Sequence, residues 1–311
     1  RSCGATGSLD AARMRLALIA FPYYRTYAET TQHNESDSLR AALLARGVTL
    51  ELVDGFSAAN DFARFDAVLV LGCWGYHKQP AEFCEFLERL GQQRIPVLNP
   101  PSVLRWNMDK KYLVELQRAG VAVAPLLHFP VHSQIDLAEE IRRAGWSRYV
   151  LKPTISANAL HTQVCQGPPD VKACALAQQI LSQSGLLIQP YFEELVAHGE
   201  LSLLYFGGEF SHAVCKVPKA GDFRSQPDYG ACVTPITPSA ELLAQIDGIL
   251  NAAPGPKPLP YARVDGFLQN GRLQLIELEL IEPFLFLHSA ASEPAAAAHC
   301  ARALIQAVSA I

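Results

Sequence analysis

The chain has 311 residues, 50% hydrophobic and 18% charged, with 20 Gly and 21 Pro; this balance excludes a disordered or collagen-like chain and gives length for two or three lobes. A formal net charge of −4 argues against a general nucleic-acid-binding surface, although it leaves room for a local basic pocket. The eight cysteines form no CxxC pair and the nine histidines no HExxH spacing, so neither a disulfide framework nor a zinc site is expected, and the thiols read as reduced in a cytoplasmic protein.

Residues 1–13 read as a vector-derived or disordered leader, and the apolar run Leu16 to Phe21 is too short for a signal-peptide core or a membrane span. From there to residue 100, strand-like and helical segments alternate. RLALIAF is a short apolar run, TLELVDG, FDAVLVLG and IPVLN read as strands, SDSLRAALLARGV has helical spacing and PAEFCEFLERLGQQ reads as an amphipathic helix. This order predicts an open parallel α/β lobe over 14–100, without a GxGxxG or P-loop fingerprint.

Pro100 and Pro101 mark a break. Beyond it the pattern predicts helices over 109–118, 135–144 and 170–183 and strands over 148–153 and 185–191. These form a second unit, 101–190. The third unit, 191–311, opens with ELSLLYFGGEFSHAVCKV, a hairpin turning at Gly207 and Gly208. A helix near 238–252 follows, then YARVDGFLQ and RLQLIELELIE, joined through Asn270 and Gly271 as a second hairpin, and an Ala-rich helix at the end.

The chemistry concentrates in a few charges set among apolar neighbours. LIELELIEPF carries Glu277, Glu279 and Glu282 in a strand. Alternation puts Leu275, Glu277 and Glu279 on one face and Ile276, Leu278 and Leu280 on the packing face. Two carboxylates so close repel unless a cation or basic groups lie between them. Asp265, in ARVDGF, stands on the partner strand, with Arg263 two residues earlier on the same side. Lys152 in YVLKP and Lys216 in HAVCKV interrupt apolar strands, and Lys110 sits in MDKK; burying an ammonium is costly without an anion nearby. Basic groups for phosphates and carboxylates for magnesium are what nucleotide triphosphate chemistry needs.

The order of WNMDKKYLVELQRAGV, YVLKPTISANA, LIQPYFEEL, GELSLLYFGGEFSHAVCKVPKAGDFR, DYGACV and YARVDGFLQNGRLQLIELELIEPFLFL, covering about residues 100–290, resembles the ATP-grasp superfamily. Within it the chain is similar to the carboxylate-amine ligase branch that includes cycloserine-type synthetases. The resemblance implies an ATP-grasp fold, α/β and α+β, behind the N-terminal open parallel α/β lobe. It implies ATP and Mg2+, two ions, as cofactors. It matches Lys110 and Lys152 to phosphate-holding lysines, Gln189 and Tyr191 to the hinge at adenine, and Glu200 to the acid near the ribose. Lys216 matches a basic group at the phosphates, with Arg224 a candidate for the same work and Arg263 counted beside them as catalytic. Ser156 to Ala159 matches the loop over the γ-phosphate, and Asp265, Glu277 and Glu279 the magnesium acids.

Two departures from the family pattern stand out. TISANAL has no glycine, and LGCWGY replaces a more charged Arg-Ser-x-Trp-Asp-Tyr pattern, so a different substrate is expected. Glu282 falls on the side away from the metal acids and reads as structural or a substrate contact. Trp74, Tyr76, His77, Arg105, Trp106 and His288 either line a substrate pocket or pack. Cys73 and Cys215 have no His or Asp spacing that makes a nucleophile. The resemblance implies an ATP-dependent ligase joining a small-molecule carboxylate and an amine through an acyl phosphate; ring closure within one molecule and nucleotide binding without turnover are the alternatives. A homodimer is left open, and neither nucleic acid nor a membrane is expected as a partner.

Overall fold

The computed structural model describes residues 14–22, 24–26, 35–157, 160–221, 224–225 and 229–311; the leader expected over 1–13 lies outside them. The first lobe contains β1 (Arg15–Ala20), α1 (Glu35–Leu44), β2 (Thr49–Asp54), β3 (Ala67–Gly72), α2 (Pro80–Gln92) and β4 (Val97–Leu98). Its strands are parallel in the order β2-β1-β3-β4. β3, AVLVLG, is buried at every position because both faces of the sheet are covered. Helix α2 starts on Pro80 and buries Phe83, Phe86, Leu87 and Leu90, a 3.6-residue stripe. Gly72 is required by close approach: a Cβ there would lie 2.5 Å from the Ile19 carbonyl oxygen.

The second unit opens with two helices, α3 (Pro101–Met108) and α4 (Tyr112–Arg118), where the pattern predicts one over 109–118. Pro101 starts α3 at its first turn, and Asp109, extended at φ −103 and ψ 113, separates the two. Next come β5 (Leu127–Phe129), α5 (Leu137–Ala144), β6 (Arg148–Pro153), β7 (Gln163–Gln166), α6 (Val171–Leu181) and β8 (Leu186–Pro190). The sheet is antiparallel in the order β5-β8-β6-β7. Asp136 and Asp170 cap α5 and α6 by accepting backbone N–H bonds, which sets where each helix begins.

The third unit contains α7 (Glu193–His198), β9 (Glu200–Phe206), β10 (Glu209–Val217), β11 (Cys232–Ile236), α8 (Ala240–Ala252), β12 (Tyr261–Gln269), β13 (Arg272–Glu279) and α9 (Glu293–Ser309). Its antiparallel sheet runs β11-β10-β9-β12-β13. Asn270 and Gly271, at φ 52 and 76, make the tight turn between β12 and β13.

The register of that last pair corrects the alternation expected for 275–280. Asp265 faces Glu277, but Gly266 already faces Leu275, so Ile276 is the extra residue of a β-bulge. Leu273, Leu275, Leu278 and Leu280 all enter the core, whereas Ile276 is turned to line the cavity together with Glu277 and Glu279. Ile276 is therefore not packing, and Leu275 does not share the acids' face. The strand also ends at Glu279, ahead of Glu282.

Helix α9 packs into the core of the first lobe. Leu304, Ala301 and Cys300 share one cluster with Leu16, Leu39 and Leu69 and with Leu204, Phe206 and Tyr261 of the antiparallel sheet. The sheet β5-β8-β6-β7 has its own core, with Tyr149, Leu151 and Ile188 at its centre. Among the described residues no helix is long and apolar enough to cross a membrane.

Candidate active site

The three units meet around a cavity of about 300 Å³. Lys110 follows α3, and its backbone N–H donates to the Thr154 carbonyl at 2.9 Å, tying the helix end to the exit of β6. Its Nζ donates to the Ser156 carbonyl at 2.6 Å and pairs with Glu277 Oε1 at 3.0 Å. Ser156 donates its hydroxyl to the Pro153 carbonyl at 3.2 Å, which holds the loop after β6; Asn158 and Ala159 lie outside the described residues. Lys152 projects from β6 into the same space. Burial and the nearby Lys110 charge push its pKa down to about 8, against the pull of Glu277 and Glu200.

On β10, Lys216 Nζ pairs with Glu200 Oε1 at 2.7 Å and lies 3.8 Å from Asp265 Oδ1. Burial opposes its charge, but Asp265 and Glu200 outweigh that and hold its pKa above the usual lysine range. Arg263 reaches Asp265 through Nε, 3.0 Å from each carboxylate oxygen, and Nη2 at 2.9 Å, and it also pairs with Glu279 at 2.9 Å. The fork geometry explains why an arginine suits this place. Asp265 accepts a further bond from Ser202. Burial raises its pKa, but Arg263 and Lys216 prevail and hold the carboxyl below the ordinary range.

Asp265, Glu277 and Glu279 each offer a carboxylate oxygen within 4.8 Å of the others, a grouping that can hold a metal ion. Glu279 is pushed up to about 7 by burial, reinforced by the charges on Glu277 and Asp265. That repulsion is what a hard divalent cation relieves, and three carboxylates are the donors magnesium prefers. The residues fit the metal.

At the other end, β8 presents Gln189, whose Nε2 is buried with no hydrogen-bond partner. Tyr191 follows, with the Arg148 guanidinium 3.5 Å from its ring centroid. An unpaired amide donor beside an aromatic edge fits a heterocycle with acceptor nitrogens. Arg224, 3.7 Å from the Tyr229 ring, also lines the cavity. Thus Lys110, Lys152, Ser156, Gln189, Tyr191 and Glu200 face the same cavity as Lys216, Arg224, Arg263 and the three acids.

Sequence reasoning missed Asn107. Its Nδ2 donates to the Leu278 carbonyl at 2.7 Å, and its Oδ1 accepts from Leu280 N–H at 2.9 Å. Tyr112 bonds both backbone groups of Leu278, at 3.0 and 2.9 Å. These two side chains satisfy the outer edge of β13 and so fix the acids. A polar Asn inside the apolar run of α3 was the available signal. Glu282 is corrected: it lines the cavity and does not face away from it. Trp74, Tyr76 and His77 line it too, whereas Arg105 pairs with Glu88 and Trp106 donates to Glu115 at 2.6 Å. Burial raises the thiol pKa values of Cys73 and Cys215, which disfavours the thiolate of each.

Known proteins resemble this chain in sequence and in fold. Residues 19–99 match the family described as D-cycloserine synthetase DcsG, N-terminal domain. The cycloserine biosynthesis protein DcsG of Streptomyces lavendulae is 31% identical over 176 residues, 55% of this chain and 58% of that relative's length. The crystal structure of D-cycloserine synthetase DcsG superposes with a TM-score of 0.83 at 27% identity, covering 94% of this chain and 99% of the other. A D-alanine–D-alanine ligase from Bacillus anthracis shares the fold alone, with a TM-score of 0.66 at 15% identity over 96% of this chain and 98% of that one. The chain has the ATP-grasp fold and resembles D-cycloserine synthetase along nearly its whole length.

Proposed function

We propose that the protein is an ATP-dependent carboxylate-amine ligase of the cytoplasm, acting on a small amino-acid-like substrate. One observation carries the reading: a single cavity joins Lys110, Lys152 and Lys216 to the Asp265, Glu277 and Glu279 group. In this reading Gln189 and Tyr191 hold the base, Glu200 the ribose, and Lys110 and Lys152 the phosphates. Asp265, Glu277 and Glu279 would hold Mg2+, as two ions, which when bound neutralise phosphate charge. The substrate carboxylate takes the γ-phosphoryl group to give an acyl phosphate and ADP, and a nitrogen then displaces phosphate. Lys216, Arg224 and Arg263 stabilise the negative charge that develops, and the closed lobes exclude water. The likeness to D-cycloserine synthetase favours a nitrogen within the same molecule, giving a ring; joining of two molecules is the alternative.

The test is ADP and phosphate release with pooled D and L amino acids. Substrate-dependent ADP formation is expected, and ATP binding without it would leave a nucleotide-binding module. Glu277→Gln or Glu279→Gln is expected to cut turnover at least ~100-fold; near-normal rates in both would sink the metal assignment.

A further inference from the structure

Two polar atoms at the first-lobe end of the cavity have no hydrogen-bond partner among the described residues: Glu282 Oε2 and His77 Nδ1, both buried. Glu282 sits where the chain, having left β13 at Glu279, meets the turn after β3 that carries Trp74 and His77. Trp74 donates its Nε1–H to the Glu282 carbonyl at 3.1 Å, and Pro283 restricts the backbone beyond it. The backbone of Glu282 is therefore held in place.

The cations that reach toward Glu282 are already engaged. Lys110 serves Glu277 and the Ser156 carbonyl. Arg263 serves Asp265, Glu279 and the Phe284 carbonyl. His77 is no counter-ion either, because burial, with Lys78 and Lys110, pushes it down to about 4 and leaves the ring neutral. A buried carboxyl oxygen without a partner among the described residues, facing an open cavity, leaves a place for a hydrogen-bonding group of the ligand.

We propose that Glu282 recognises an amine on the carboxylate substrate, its free oxygen accepting a hydrogen bond from that nitrogen and so orienting the carboxylate toward the lysines. The proposal rests on the ligase reading and narrows its substrates to carboxylates bearing a nearby amine. A site built to bond a nitrogen rejects the analogue that lacks it, because its own acceptor is then left buried and unpaired.

Hydroxylamine provides the test. Its nitrogen attacks the acyl phosphate, the new C–N bond forms as the C–O bond to phosphate breaks, and a proton leaves the nitrogen, so the hydroxamate reports carboxylate activation. Pooled D and L amino acids identify the best substrate, which is then compared with its des-amino analogue. The wild-type protein is expected to prefer the amine-bearing acid by at least ~100-fold in kcat/KM. Glu282→Gln and Glu282→Ala should shrink that ratio at least ~10-fold while the KM for ATP stays within about twofold. A ratio left unchanged while both rates fall together would mean a structural role and overturn the assignment. Equal use of both acids by the wild-type protein would overturn it even where the variants fail to fold. Absence of hydroxamate from every amino acid would instead bring down the ligase reading and this one with it.

Discussion

Lys152 stands at the end of β6, and its pKa, pushed down to about 8 by burial and Lys110, would make the proposed nucleotide binding sensitive to mild alkali. Protonated, it offers charge to a phosphate; deprotonated, it offers none. Binding an anion raises its pKa, so affinity is complete below about 8 and declines above it, approaching ~10-fold per pH unit. Calorimetric titration of ADP at pH 7, 8 and 9 should show this decline. Lys152→Arg should flatten it, since a guanidinium stays charged throughout. Such lysines were legible in the sequence because an ammonium in an apolar strand is a conspicuous exception. The environment that tunes them was not, because Lys110 and Glu277 reach Lys152 only through the fold.

Among the elements, the hairpin β12–β13 shows where local reading succeeds and where it stops. Asn270 and Gly271 announce the turn, and the acids announce a charged face. The bulge at Ile276 depends on Leu275 bonding Ala122 and Ala124 across the sheet edge, contacts that no local pattern encodes. The short strands β5 and β7 and the helix α7 were unreadable for a related reason: α7 buries no residue, and the strands owe their existence to their neighbours in the sheet. Asn107 is the element's outer clamp. Asn107→Ala removes the partner of the Leu280 N–H and one partner of the Leu278 carbonyl. It should cost about 1–3 kcal/mol in thermal or urea unfolding, and weaken Mg2+ binding although Asn107 is no ligand in this scheme.

Across the whole molecule, the buried side chains divide into separate cores. Helix α9 joins the first lobe to the five-stranded sheet in one cluster, while β5-β8-β6-β7 surrounds a core of its own. Leu304, fully buried in α9, tests the division. Leu304→Ala should destabilise by about 2–5 kcal/mol. In hydrogen exchange it should loosen β1, β3, β9 and β12 together and leave β6 and β8 near wild-type protection. Equal loosening of all three sheets would mean a single cooperative core. The parallel lobe and both hairpins were readable from periodicity and turn residues. The sharing of one core between the chain's two ends was not, because an Ala-rich helix reads the same whichever lobe it covers.

The extra residue at Ile276 also bears on how this strand tolerates insertions and deletions. Without it the sequence would run Leu273, Gln274, Leu275, Glu277, Leu278, Glu279, a strict two-residue rhythm in which each leucine already meets the core and each acid the cavity. An in-frame loss of that one codon should therefore be survivable. Loss of Leu278, by contrast, would bring Glu279 into its place and bury a carboxylate among leucines. A deletion scan through 272–279, read by soluble yield, should therefore tolerate loss of Ile276 far better than loss of Leu278.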